Sequence, residues 1–161
     1  MPLSFSPLFT RLCLAVAAAG LASGAHAADT PEPTPVRQAD TDPMKSARAH
    51  LAAQRWQPAI ADLKKANASG DADWNNLMGY ALRKQFRPDL EGAQRHYDTA
   101  LRINPSHQGA LEYSGELALM KGDLGTAEAR LAALAKLCSS PCEPLDDLKQ
   151  AIARYKATGK P

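Results

Sequence analysis

The residues with chemical potential are few and far apart. Cys138 and Cys142 stand four positions apart, with Ser139, Ser140 and Pro141 forming a turn between them. The spacing lets the two sulfurs meet. In an oxidising compartment an even pair of this kind is expected to form a disulfide. A redox-active or metal-handling pair is the sharper alternative. The intervening stretch, however, is one residue longer than in an oxidoreductase's Cys-x-x-Cys, and no haem-attachment Cys-x-x-Cys-His occurs. His50, His96 and His107 are scattered along the chain, so no shared metal site is expected, and no cofactor. Glu112 and Glu116 lie four apart, on one face if the segment is a helix. Paired carboxylates can move protons, but a solvated or partner-facing stripe accounts for them as well. There is no Gly-x-Ser-x-Gly, no Gly-rich phosphate loop and no His-Glu-x-x-His. The residues therefore argue against an enzyme.

The compartment is read from the N-terminal segment, Met1 to Ala27. Arg11 is followed by an apolar stretch from Leu12 to Ala25, then by Ala25-His26-Ala27. This is the three-part pattern of a cleaved signal peptide. The stretch falls short of the roughly 20 residues that span a bilayer, and no other segment is expected to insert stably in a membrane. Export to a bacterial periplasm is the expectation. Cys13 leaves with the leader. Residues 28–41, with Pro31, Pro33 and Pro35 among polar residues, read as an extended linker. The charge balance, 19 Lys+Arg against 17 Asp+Glu, gives no electrostatic case for a nucleic-acid partner.

From Pro43 onward the sequence is organised by an internal period. Ala59, Leu63 and Ala66 are matched by Ala93, Tyr97 and Ala100, then by Ala127, Leu131 and Leu134. The step from Ala59 to Ala93 equals the step from Ala93 to Ala127. Residues four and then three apart stack on one helix face, and a small Ala lets a paired helix approach closely. Start and stop signals agree. Pro58 suits a first helical turn, Asp71 or Asp73 and then Asp123 can cap, Pro88 with Asp89 and Glu91 marks a start, and Gly122 marks a stop. Asn104-Pro105 ends another helix. A further helix is expected over residues 143–157, its apolar stripe Leu145, Leu148, Ile152 and Tyr155.

With Met78-Gly79, Ala93, Tyr97, Ala100 and Pro105 in the second period, and Gly115, Ala118, Ala127, Leu131 and Leu134 in the third, the chain resembles the tetratricopeptide repeat family from about Asp42 to Cys142. The helix–turn–helix unit of that family repeats at roughly 34 residues, the step seen here. Ser114 departs from the motif's leucine, and the first period has Ala47 for its glycine and His50 for its aromatic. The resemblance implies an all-α solenoid of three antiparallel helix pairs, over residues 42–71, 72–107 and 108–141, closed by the capping helix, with 158–161 as a tail. It also implies a concave face built from the first helix of each pair. Mapped onto this sequence, that face carries Arg48 and Leu51, then Asn76, Tyr80, Arg83 and Lys84, then Glu112, Glu116, Leu119 and Met120. Its charge would run from a basic middle to an acidic end, suited to a peptide or protein segment. The expectation is a monomeric, non-catalytic adaptor, with Tyr80 and Arg83 as anchors. A self-assembling structural module is the other reading. The chaperone-type carboxylate clamp is not expected, because Met44 stands where its first basic residue belongs.

Overall fold

The computed structural model describes residues 42–139 and 141–160. The expected leader and linker, residues 1–41, lie outside them. Among the described residues the chain is all helical. Seven helices follow one another: α1 Lys45–Ala52, α2 Trp56–Ala66, α3 Ala72–Lys84, α4 Leu90–Ile103, α5 Gln108–Met120, α6 Leu124–Leu137 and α7 Glu143–Thr158.

Local chemistry sets the boundaries. Asp71, Asp89 and Asp123 each precede a helix, and their carboxylates accept from the backbone N–H of Trp74, Gly92 and Thr126. Each cap satisfies a donor that the first turn leaves without a partner. His107 does the same for α5 through Nδ1, which accepts from the Ala110 N–H, a cap the sequence patterns did not single out. Asn67 ends α2 in the left-handed conformation at φ 48°. Gly122, at φ 80°, turns the chain between α5 and α6, where a side chain at Cβ would be strained.

Successive helices pack on one another, α3 also meets α5, and α7 packs on α5 at least as much as on its chain neighbour α6. Ala59, Ala93 and Ala127, the small residues that open the recurring triplets, are fully buried, as are Leu63, Tyr97 and Leu134. Three apolar clusters result. The first joins α1, α2 and α3 around Leu63, Trp74 and Met78. The second centres on Tyr97 with Ala93 and Leu117. The third gathers Leu111, Leu119, Leu134, Leu148 and Ile152 from α5, α6 and α7. The buried Trp74 indole donates to the Leu63 carbonyl oxygen at 2.7 Å, so its polar edge is satisfied.

Two glycines are close-approach positions. A Cβ on Gly79 would lie 2.7 Å from Cε1 of the buried Tyr97 ring, and one on Gly115 would lie 2.7 Å from Leu148 Cδ2. The Tyr97 ring is enclosed and cannot swing aside. Gly79→Ala is therefore expected to cost about 2 kcal/mol by overpacking, despite the better helix propensity of Ala. Urea denaturation would check this as a lowered midpoint.

Cys138 and Cys142 form a disulfide, with their Cα atoms 5.8 Å apart. It ties the end of α6 to the start of α7. That last helix runs Glu143–Thr158, and its buried stripe is Leu148, Ala151 and Ile152, with Leu145 and Tyr155 half-buried beside it. Lys156 pairs with Glu128 of α6 at 2.6 Å.

Candidate functional site

Helices α1, α3 and α5 contribute to one cleft. Its volume is about 320 Å³, and Arg48, Leu51, Ala52, Leu77, Tyr80 and Tyr113 line it. The floor is aromatic. The Tyr80 and Tyr113 rings lie 4.7 Å apart, tilted by 34°, and Trp56 meets Tyr80 edge-on at 5.8 Å. Both tyrosines are half-buried, so each offers a ring face along with a polar tip. At the rim, Arg48 pairs with Asp73 at 3.2 Å and Asp42 at 3.6 Å.

Arg83 sits behind the tyrosine pair. Its guanidinium carbon is 5.7 Å from the Tyr80 ring centre and 5.6 Å from that of Tyr113. Its Nη2 reaches Glu116 Oε2 at 2.6 Å. Only 6% of the residue is exposed. The buried Tyr97 hydroxyl lies close enough to feel the guanidinium charge. Neither that hydroxyl nor Arg83 Nε has a partner at good hydrogen-bond geometry. On the far side a second cleft of about 250 Å³, between α3, α5 and α7, is lined by Arg83, Lys84, Glu116, Leu119, Met120, Ala151 and Arg154.

Glu112, one turn before Glu116, is buried. Burial pushes its carboxyl up to about 8, with help from the charges of Glu116, Asp147 and Glu143 and against the pull of Arg83. Tyr80 and Tyr113 are also shifted upward, chiefly by burial. A carboxyl held protonated near neutrality is a feature of many proton-transfer sites. Glu112, however, lines neither cleft.

The residues expected on this face separate into three groups, with Arg83 both buried and in the wall of the second cleft. Arg48 and Tyr80 line the first cleft, and Lys84 and the half-buried Glu116 line the second. Asn76, Arg83 and Glu112 are buried, Asn76 with its Oδ1 unpartnered. Arg83 turns inward, where its charge is matched by Glu116 and two ring faces. The basic middle and acidic end meet each other directly. Sequence reasoning missed Tyr113, although it follows Tyr80 by nearly one period. It also missed Leu77 and Arg154; Arg154 lies on α7, outside the repeating pattern. The histidines are separated: His50 faces Asp62, His96 bonds Asn75, and His107 meets Asp73. Among the described residues no group of three or more His, Cys, Asp or Glu is placed to hold a metal ion. No family model matches this chain, and no curated protein matches it.

Proposed function

We propose that the chain is an exported, non-catalytic adaptor that binds a polypeptide segment across the face of α1, α3 and α5. The observation that carries this reading is the half-exposed Tyr80–Tyr113 pair, flooring a cleft to which three different helices contribute. Aromatic residues are enriched among the few contacts that dominate binding energy, and an apolar cleft with a charged rim suits an apolar side chain flanked by polar groups. The repeated Ala59–Ala93–Ala127 step and the close packing of α1 on α2, α3 on α4 and α5 on α6 support a tetratricopeptide-like solenoid as the scaffold. The periplasm is the compartment that the leader pattern and the Cys138–Cys142 disulfide favour. The chemistry on this face is contact chemistry, namely ring faces, aliphatic walls and paired charges, which recognises a ligand without activating a nucleophile.

The test uses a photo-cross-linking amino acid at Leu77, in the wall of the cleft, in cells that export the protein. One polypeptide should be trapped, and peptide mapping should place the cross-link at a defined segment. Tyr80→Ala should weaken binding of that segment, made synthetically, by about tenfold or more. Arg48→Glu should weaken it further. A segment that binds equally well after both changes would overturn the reading.

A further inference from the structure

A second surface lies where the α1–α2 and α3–α4 turns come together. Phe86 is 96% exposed there. A cleft of about 440 Å³ opens beside it, lined by Arg55, Trp56, Gln57, Pro58, Gln85, Phe86 and Arg87. The two turns form one platform, because Gln57 Nε2 donates to Gln85 Oε1 at 2.6 Å. Arg55 and Arg87 are exposed within it, and among the described residues neither makes an ion pair. No acidic side chain lines the cleft.

We propose that this tip is a peripheral docking point for an anionic lipid surface. The patch offers two things, a projecting aromatic ring and positive charge that no described carboxylate neutralises. One amide hydrogen bond, from Gln57 to Gln85, holds the two turns together beneath these groups. A specific protein interface of ordinary size uses roughly 20–30 residues a side and several directed polar contacts. This tip, with seven lining residues, is much smaller. A membrane surface asks only for apolar insertion plus attraction to headgroup charge. Phe86 would enter below the headgroups, the half-buried Trp56 would sit at their level, as Trp does in membrane interfaces, and the two guanidinium groups would face lipid phosphates. One inserted ring with two cations gives weak, reversible, peripheral binding. This surface shares no lining residue with the Tyr80–Tyr113 cleft, although Trp56 touches Tyr80, and the proposal does not depend on that cleft having a ligand.

The experiment is cosedimentation of the exported protein with vesicles of phosphatidylglycerol and phosphatidylethanolamine, beside vesicles of phosphatidylcholine alone. The native protein should bind the anionic vesicles, and added salt should weaken binding. Phe86→Ser should reduce partitioning by about tenfold or more, from the lost apolar insertion. Arg55→Glu with Arg87→Glu should reduce it by at least roughly 25-fold, at about fivefold per lost cation. All three positions are exposed, so thermal melts of the variants should match the native protein. Failure of the native protein to bind anionic vesicles, or binding that Phe86→Ser leaves unchanged, would overturn the proposal. So would capture of an acidic peptide by this patch with no vesicle binding, which would make the tip a protein contact.

Discussion

Glu112→Gln is expected to make the protein more stable at alkaline pH and to leave it nearly unchanged in acid. The buried carboxyl titrates at about 8 in the folded protein, against an ordinary value of 4.5. Below 4.5 both folded and unfolded chains carry the proton, and Glu112 costs nothing. As pH rises from there, the unfolded chain releases its proton while the folded chain retains it. The unfolded state then binds fewer protons, so stability falls with rising pH until the folded carboxyl ionises as well. The loss is complete above about 8. Relaxation of the surroundings and water penetration on ionisation reduce the cost, which is expected to be about 2–3 kcal/mol. A glutamine has nearly the same shape and no titration. Chemical denaturation at several pH values should show a downward slope for the native protein from mildly acidic to mildly alkaline conditions, much reduced in the variant. His96 works in the opposite sense. Burial and the nearby Arg95 charge lower its pKa, so its contribution is lost as pH falls through the ordinary histidine range. Below the ordinary histidine range the two effects oppose each other, so the native profile is expected to flatten there and to fall toward alkaline pH, and Glu112→Gln removes the alkaline fall. Parallel slopes for the two proteins would show that Glu112 ionises freely.

The helices were legible in the sequence because their signals are local. Asp71, Asp89 and Asp123 cap the first turn that follows each of them, and the buried Ala59, Ala93 and Ala127 recur at a fixed step. The disulfide was legible because its cysteines stand four positions apart. The site was legible only in part. A helical pattern tells which residues share a face, but it cannot tell whether a long polar side chain on that face points outward or folds back. Tyr80, expected on that face, lines a cleft. Arg83, almost one turn later, was expected beside it as an exposed contact. Instead it reaches from α3 across to Glu116 on α5. That pairing depends on how α3 and α5 approach, which the small residues Gly79 and Gly115 permit but do not announce. The Glu112 shift was illegible for the same reason, since Asp147 and Glu143 come to it from α7. Phe86 and its cations passed unnoticed because a turn has no periodicity against which an exposed ring looks out of place.

Arg83 is where loss of one side chain is expected to cost most. Its guanidinium is held beside the Tyr80 and Tyr113 rings and against Glu116, with almost no contact with water. Arg83→Ala removes the charge that balances Glu116, and it empties the space behind two rings. Leaving a partly buried carboxylate unpaired, together with the cavity, is expected to cost about 3–4 kcal/mol. Glu116→Gln should cost less, about 1–2 kcal/mol, because the glutamine still accepts a hydrogen bond and Glu116 keeps partial access to water. If the pair itself is what matters, the two losses will not add. Arg83→Met with Glu116→Leu replaces both charges by apolar groups of similar length, and it should recover much of the stability lost in Arg83→Ala. The same comparison bears on function. Arg83 supports the tyrosine pair from behind and does not line the Tyr80–Tyr113 cleft. A charge-free but well-packed replacement should therefore keep affinity for a segment bound there, whereas Arg83→Ala, which lets the rings move, should weaken it. Equal loss of affinity in the packed double variant and in Arg83→Ala would mean that the guanidinium itself touches the ligand.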